Sequence, residues 1–462
     1  MHVLIIGAGP GGLTVAQCLR KQGISFEIFD RDESENARFQ GWAIGLHTII
    51  DDIVSSFPND MPDLKRSTNH LAPLTLPAQV AVHFAGTNGR IGFEDCPEKP
   101  FIRTERYRLR QWLSTNVQIQ WGKRARRFED DHEGVTVHFE DGTTAKGDIL
   151  VGADGTNSHV REYLLQQPNS DLLKIVPTAA IVGQVRLSGE IFRRHLALGH
   201  SGWNIMNPKR NFVSFNGLHH VLPDGHSGHF FWIFMQPDPE VGQSDHWLRT
   251  ATQEEKLRHV LKTTDSLSPR LREIFELTSS TDVKEDLHYF RDLELDSLPS
   301  GRVVLVGDAA HAMSPFRGEG GYQTFIDGLK LSRHLIRLDK EGNASDIEAV
   351  QAAVTEYNRE MLQRGGEAVR ASRGTHKELM GKAKVVSLLL AWVPFLLSLL
   401  LRFAIKGPLK LEPLPEERIM LPGEEQMEEK QKVEMGFWKR YVSAILLFLG
   451  LGGIISEKYK QI

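Results

Sequence analysis

The sequence predicts an α/β fold in which a domain with a parallel sheet is interleaved with a domain built on an antiparallel sheet, followed by apolar helices near the C-terminus. Three observations support this prediction. Apolar strands run directly into glycine-rich turns at residues 1–12, 148–155 and 301–328. Alternating apolar and polar stretches fill residues 179–287, and two long apolar runs lie at 385–401 and 441–456.

The N-terminus has the pattern of a Rossmann-like βαβ unit. The apolar stretch 2–6 leads into a G-x-G-x-x-G sequence whose glycines are Gly7, Gly9 and Gly12. In this pattern the first glycine permits a tight turn, the second lets the backbone approach a pyrophosphate and the third lets the helix pack closely. A second strand at 24–29 ends at Asp30, where a ribose-binding carboxylate belongs. The alternative is a glycine-rich turn in an ordinary βαβ unit.

The second glycine-rich segment follows the predicted strand at 303–306. Gly307 and Asp308 form a polar turn, and the Asp308 carboxylate is able to accept hydrogen bonds from hydroxyl groups. The loop 318–321 then presents bare backbone N–H groups at the start of a helix, where partial positive charge favours an anion. We therefore predict that this segment and the N-terminal turn together hold a nucleotide.

Composition narrows the function classes. The net charge of −4 gives no basic surface for nucleic acid, so we expect no nucleic-acid partner. With only Cys18 and Cys96, we expect no disulfide framework, which fits a reducing compartment. We expect no metal site, and no signal peptide because the first strand begins at residue 2.

Three motifs together resemble the class A flavoprotein monooxygenases, the para-hydroxybenzoate hydroxylase-like family. They are the N-terminal glycine motif, the sequence Gly152-Ala153-Asp154-Gly155 with Asp148 before and Arg161 after it, and Gly307-Asp308-Ala309-Ala310-His311 with Pro315 and the 318–320 loop. The resemblance spans residues 1–370. It is greatest to members from fungal secondary metabolism, which have similar stretches at 40–44 and 317–321. Two positions depart from the family pattern: Glu319 replaces a common Gln, and Tyr322 a common Asn.

The resemblance implies bound FAD, transient NADPH and transfer of one oxygen atom from O₂ to a substrate. The implied FAD-binding residues are Gly7, Gly9 and Gly12 at the pyrophosphate, Asp30 at the adenosine ribose, Gly41 near the flavin, Arg106 at the pyrophosphate region, Asp154 with a further role toward NADPH, Asp308 at the ribityl chain, and Gly320 and Gly321 near flavin N1 and the C2 carbonyl. From local sequence alone, Arg106 is equally well interpreted as a solvated charge at a helix start. No catalytic side chain is identified, and we expect His311 to form structural hydrogen bonds.

The motif order predicts the domain boundaries. The FAD-binding domain takes residues 1–178, with a small excursion into the substrate domain near 71–100, and continues at 288–375. The substrate domain takes residues 179–287, with strands near 181–187, 211–215 and 229–234 and a helical stretch at 253–275. Whether Phe230, Phe231, Trp232 and Phe234 fill the sheet core or face a substrate pocket stays open at this stage.

The region 376–462 predicts attachment to a membrane. The run 385–401 is interrupted by Pro394, whereas the run 441–456 follows the basic and aromatic residues Trp438, Lys439 and Arg440. Both approach the lower length limit for a membrane span. Two buried helices on the FAD domain are the alternative. We expect a membrane-associated enzyme at the endoplasmic reticulum, with its catalytic domain in the cytosol.

The first functional hypothesis is epoxidation of an alkene in a lipophilic polyketide or terpenoid. Hydroxylation of an aromatic or enolic ring is the second, and reduction of isoprenoid double bonds by a related flavoenzyme is the third. A flavin halogenase is disfavoured because no two tryptophans are two residues apart. A nucleotide-binding protein without catalytic activity is the alternative from another class.

Overall fold

The computed structural model describes residues 1–85, 89–131, 133–380, 410–413 and 419. The strands in chain order are β1 (His2–Ile6), β2 (Ser25–Phe29), β3 (Ala43–Leu46), β4 (Gln79–Phe84), β5 (Gly89–Glu94), β6 (Ile102–Glu105), β7 (Ile119–Gln120), β8 (Ala125–Asp130), β9 (Val135–Phe139), β10 (Thr144–Gly147), β11 (Ile149–Gly152), β12 (Lys174–Ser188), β13 (Gly202–Asn207), β14 (Phe212–Val221), β15 (Ser227–Pro237), β16 (His288–Asp292), β17 (Val303–Leu305) and β18 (Lys410–Pro413).

The helices are α1 (Pro10–Gln22), α2 (Ile50–Ser56), α3 (Leu64–Thr68), α4 (Arg106–Leu113), α5 (His159–Leu165), α6 (Asn169–Leu172), α7 (Gly189–Leu198), α8 (Gln253–Thr263), α9 (Pro269–Glu276), α10 (Asp308–His311), α11 (Gly320–Lys340) and α12 (Ile347–Met380). Short 3₁₀ turns occupy Trp247–Arg249, Ser280–Asp282 and Pro315–Arg317.

A five-stranded parallel sheet forms the centre of the first layer, in the order β17-β11-β1-β2-β7. Its inner strands are buried apolar runs, as expected for a parallel sheet with both faces covered. In register, Ile6 pairs with Phe29 on one side and with Gly152 on the other. All three predicted glycine turns therefore leave the sheet at the same edge, which is where ligands bind in open α/β sheets.

An eight-stranded sheet forms the second layer, in the order β16-β12-β15-β14-β13-β4-β5-β18. The segment 71–100 contributes β4 and β5. The expectation of a purely antiparallel sheet is wrong at one pair, because β4 and β13 run parallel. These two strands come from distant parts of the chain, so no hairpin turn forces them to be antiparallel.

The two faces of β15 separate the aromatic residues that the sequence left unassigned. Phe230, Trp232 and Phe234 belong to a buried apolar cluster that includes residues of α7, α8 and α9. On the opposite face, Phe231, Ile233 and Met235 line a cavity toward the parallel sheet. The stretch therefore fills a core on one face and lines a cavity on the other, on alternate residues, as the two-residue repeat of a strand requires.

The helical stretch predicted at 253–275 is divided into α8 and α9. Ser268 is extended, with φ −60° and ψ 147°, and Pro269 is the first residue of α9. A proline disfavours the helical conformation of the residue before it, so Ser268 is not helical and a second helix begins at Pro269, after α8 has ended at Thr263.

In the described part of the chain, no helix has the length and apolar character needed to cross a membrane. The runs 385–401 and 441–456, and the C-terminal apolar helices predicted from them, lie outside the described residues.

Candidate active site

A cavity of about 1320 Å³ lies between the carboxyl edge of the parallel sheet and the inner face of the eight-stranded sheet. Typical pockets for one small ligand measure roughly 300–1,000 Å³. The cavity therefore has room for an extended cofactor together with a second molecule. Nine of the ten predicted binding residues line it: Gly7, Gly9, Asp30, Gly41, Arg106, Asp154, Asp308, Gly320 and Gly321.

The three glycines of the N-terminal turn differ in what requires them. Gly7 has φ +107°, and a Cβ there would lie 2.3 Å from the Ala153 carbonyl oxygen. A Cβ on Gly12 would lie 2.0 Å from the Gly7 oxygen, so this buried glycine serves helix packing. A Cβ on Gly9 would meet no atom within 4 Å. Gly9 thus leaves open space at the start of α1, where a phosphate would approach.

Asp30 is held by groups of the protein at the end of β2. Its Oδ2 accepts hydrogen bonds from the Ala8 N–H at 2.8 Å and from Arg110 Nη2 at 3.3 Å, and its Oδ1 accepts from the Asp32 N–H at 2.9 Å. Each carboxylate oxygen has two acceptor positions, so Oδ1 keeps one for a ribose hydroxyl. Arg110, buried in α4 beside the Trp121 ring, was missed in the sequence because nothing local sets it apart from its neighbours.

Arg106 points into the cavity from the start of α4. A Cβ on Gly41, where φ is +100°, would lie 3.0 Å from Arg106 Nη1, so the glycine makes room for the guanidinium. Burial lowers the Arg106 pKa, while the negative charge of Asp308 opposes that shift. Among the described residues, none forms an ion pair or hydrogen bond with this guanidinium. Arg106 is therefore a cavity-lining cation with its donors available, and the interpretation as a solvated surface charge does not apply.

Asp154 and Asp308 lie just after β11 and β17, respectively, where these strands leave the parallel sheet. Asp154 Oδ2 accepts from the N–H groups of His159 at 2.8 Å and Val160 at 3.3 Å, which caps α5. Its Oδ1 is buried with no hydrogen-bond partner in the described part of the chain, and burial raises the pKa of this carboxyl. From the described residues, the Asp308 carboxylate receives only a long contact of 3.4 Å from the Thr156 hydroxyl. Both carboxylates keep acceptor atoms for a ligand.

Behind Asp308 lies a buried ionic network centred on Asp327 of α11. Its Oδ2 accepts from the Gly307 N–H at 2.7 Å and from His311 Nε2 at 2.6 Å, and its Oδ1 accepts from Arg364 Nη2 at 2.6 Å. Burial by itself would lower the His311 pKa, but the Asp327 carboxylate raises it overall. The same contacts lower the Asp327 pKa against the effect of burial. His311 thus has the structural role expected from the sequence.

The glycine loop before α11 rests on β3. A Cβ on Gly321 would lie 2.7 Å from Ile44 Cγ2, so a side chain there would push the loop away. Glu319 accepts a hydrogen bond from Arg317 Nη2 at 3.0 Å, which offsets its negative charge beside the loop amides. The Tyr322 ring stacks on His47 at 4.4 Å, and its hydroxyl lies 3.1 Å from the Thr48 hydroxyl. The two departures from the family pattern therefore have defined neighbours on the cavity wall.

The wall opposite the loop is apolar. It contains Met206, Val213, Phe215, Phe231, Ile233 and Met235 from β13, β14 and β15. The Trp42 indole, one residue after Gly41, stacks on Phe231 at 4.3 Å with 10° between the ring planes. This pair connects the loop that contains Gly41 to the apolar wall.

Comparison with known proteins identifies the family. The family model described as FAD binding domain matches residues 1–49 and 98–372. The chain is 55% identical over 394 residues to the FAD-dependent monooxygenase thnD of Trichoderma harzianum, covering 84% of this chain and 97% of that protein. It is 29% identical to the FAD-dependent monooxygenase phnB of Penicillium herquei, over 80% of this chain and 89% of the relative.

Solved structures share the fold. Klebsiella pneumoniae HpxO complexed with FAD and uric acid matches with a TM-score of 0.63 and 21% identity, over 86% of this chain and 92% of that chain. A putative FAD-containing monooxygenase from Photorhabdus luminescens matches with a TM-score of 0.64 and 23% identity, over 82% and 98% of the two chains.

We predict that Asp308→Ala weakens FAD binding by roughly 10- to 100-fold, because a carboxylate that accepts hydroxyl hydrogen bonds contributes that much. Flavin absorbance after dialysis measures retention. The matched control is Asp296→Ala, which removes an exposed carboxylate. Full flavin content in the Asp308 variant would contradict the assignment of this carboxylate to FAD.

We predict that His311→Gln lowers the melting temperature by roughly 2–4 °C at pH 6. The folded-state pKa of His311 lies above the unfolded value. Between these two pKa values, the folded protein carries a proton on His311 that the unfolded chain has lost. The stability from the pair is complete below about pH 6.5 and is lost as pH rises through the folded-state pKa. The difference from wild type should therefore shrink toward pH 9, which thermal melts at several pH values would measure.

The solvent-exposed His226 supplies the control substitution, His226→Gln, which should leave the pH profile of the melting temperature unchanged. A constant difference between wild type and His311→Gln from pH 6 to 9 would mean that the histidine contributes no ionic stabilisation.

Several features of the cavity fit FAD: the open space at Gly9, the available guanidinium of Arg106 and the unpartnered Oδ1 of Asp154. Arg106 and the amides at the start of α1 would hold the pyrophosphate, and Asp308 a polyol chain. Since the family model covers most of the chain and a relative matches it at 55% identity, the protein belongs to the FAD-dependent monooxygenases.

Proposed function

We propose that this enzyme uses NADPH and O₂ to insert one oxygen atom into a carbon–carbon double bond of a lipophilic substrate. The observation that carries the proposal is the apolar wall of β13, β14 and β15, which lies across the same cavity from the glycine loop of α11. A substrate on this wall would lie between the aromatic residues of the wall and the glycine loop of α11.

When bound, FAD would carry the reducing equivalents from NADPH to O₂ and so activate it, and the residues of the chain set the environment. The N–H groups of Gly320 and Gly321 are in the first turn of α11, where they have no partner within the helix. They are able to stabilise negative charge on a bound group. Trp42, Phe215 and Phe231 exclude water from the side of the cavity opposite the glycine loop. Less activated oxygen is then lost as hydrogen peroxide.

Two products are compatible with this arrangement. Alkene epoxidation, the first hypothesis from the sequence, is supported by the apolar wall alone. Hydroxylation of an aromatic or enolic ring is supported by the same wall and by Arg103, a buried cation that lines the cavity beside it. A relative of this chain, at 26% identity, is named a FAD-dependent urate hydroxylase from Klebsiella pneumoniae. Both reactions begin with attack of the double bond on an electrophilic oxygen atom.

The test supplies the full-length protein with NADPH, isotopically labelled O₂ and a panel of lipophilic polyenes and cyclic enols. The expected product contains one labelled oxygen atom. A product that gains hydrogen without oxygen would instead support the isoprenoid-reducing alternative and overturn the proposal.

Phe231→Ala should raise the fraction of consumed NADPH that ends as hydrogen peroxide, because it opens the water-excluding wall. Trp247→Ala, which removes an exposed aromatic ring away from the large cavity, is the control. Equal hydrogen peroxide yields in the two variants would argue against the wall as the substrate site.

We also propose that the protein associates with membranes through its C-terminal region, with the catalytic domain in the cytosol. The support is the pair of uncharged runs at 385–401 and 441–456 in the sequence, with Trp438, Lys439 and Arg440 before the second. Deletion of residues 436–462 should move protein from the membrane fraction to the soluble fraction while flavin content stays unchanged. Unaltered fractionation would remove the second run as an anchor.

A further inference from the structure

A second arginine, Arg103 of β6, lines the same cavity at its apolar end. Its side chain is 6% exposed, and its Cζ lies 5.8 Å from the ring centres of both Phe215 and Phe231. Its Nη1 donates a hydrogen bond to the Leu218 carbonyl oxygen. The guanidinium is therefore fixed in place beside the wall on which a substrate would lie.

The chain makes room for this guanidinium. A Cβ on Gly217 of β14 would lie 2.9 Å from Arg103 Nη2 and 2.7 Å from Phe231 Cε1. The missing side chain thus lets both groups occupy that space together. The space beside Gly217 therefore allows the Arg103 side chain to extend from β6 to the eight-stranded sheet.

Arg103 has no carboxylate partner among the described residues. Two other arginines near the cavity are paired with carboxylates of the protein: Arg364 with Asp327, and Arg110 with Asp30. Burial lowers the Arg103 pKa, and no neighbouring acid offsets this. Because burying an unpaired charge is costly, a ligand of opposite charge at this position would stabilise the guanidinium.

We propose that Arg103 binds an oxyanion of the substrate, namely the enolate or phenolate oxygen of an unsaturated ring. This inference rests on the proposed monooxygenase function and names its substrate class. A carboxylate would satisfy the charge equally well. However, only an oxyanion conjugated to the reacting double bond also makes that bond electron-rich, as attack on electrophilic oxygen requires. The flanking rings of Phe215 and Phe231 suit a flat, conjugated group.

The experiment measures binding to the oxidised, FAD-loaded enzyme, so it does not depend on turnover. The probes share one scaffold: 4-hydroxycoumarin, which is an anionic enol at neutral pH, 4-methoxycoumarin, and coumarin-3-carboxylate. Perturbation of the flavin absorbance reports the dissociation constants. We expect wild type to bind the enolate roughly 10- to 100-fold more tightly than the ether, the range for a charge-assisted hydrogen bond.

In Arg103→Gln the enolate should lose this advantage while the ether binds as in wild type. Arg103→Lys should keep part of it, since it retains the charge without the planar donor geometry. Flavin content and melting temperature check that both variants fold. A purely structural arginine would instead weaken enolate and ether equally, which would overturn the proposal.

The wild-type protein alone also decides the question. Equal affinity for enolate and ether, or binding of neither, would overturn the assignment, and tighter binding of the carboxylate would replace the enolate with a different anion. Loss of product formation with the enolate preference intact would count against the monooxygenase proposal and leave the Arg103 site standing.

Discussion

The position of the glycine loop before α11 depends on one buried carboxylate. Asp327 is fully buried and accepts hydrogen bonds from the turn after β17, from α10 and from α12. A buried carboxylate without partners would cost several kcal/mol, so these three segments are held where they meet it. Because Asp327 lies in α11, two turns after Gly320, the same contacts fix the start of that helix and the glycine loop before it.

Helix α12 makes further contacts, along its length, with the segments around Asp327. The Tyr357 hydroxyl donates to the Leu305 carbonyl at 3.0 Å, and Ser372 donates to the Ser314 carbonyl at 2.9 Å. A Cβ on Gly365 would lie 2.5 Å from His311 Cδ2, so the helix packs directly on the histidine ring. The other end of the cavity is held differently, by close backbone contacts among Gly7, Gly12 and Ala153 that leave no space for side chains. Ionic pairing thus positions the glycine loop before α11, and steric fit positions the N-terminal glycine turn.

The sequence was sufficient for features that depend on neighbouring residues. The strand at His2–Ile6, the turn at Gly7 and the acids Asp30, Asp154 and Asp308 follow from local patterns, and the structure brings them to one cavity. Features that depend on sheet register were not predictable. The face of Phe231 was one such feature, and the parallel pairing of β4 with β13 was another.

Pairs distant in sequence were equally hidden. Asp327 is an acid in a long amphipathic helix, which in sequence resembles a solvated residue, and its partner Arg364 lies 37 positions away. Arg103 stands beside Arg106 and Arg108 in a basic stretch, where only the three-dimensional fold distinguishes the cation beside the apolar cavity wall from the other two.

Five arginines in or beside the cavity differ in whether the protein supplies their counter-charge. Arg110, Arg317 and Arg364 contact Asp30, Glu319 and Asp327, and they serve to hold loops and helices. Arg106 and Arg103 have no such partner among the described residues, and each faces open volume. If both are completed by ligands, the cavity receives negative charge at two separate places, the cofactor phosphates near Gly41 and a substrate oxyanion near Phe231. The Trp42–Phe231 stack connects the loop beside the first place to the wall beside the second, so these two apolar rings would lie between the two ligand charges and each cation would act on its own ligand.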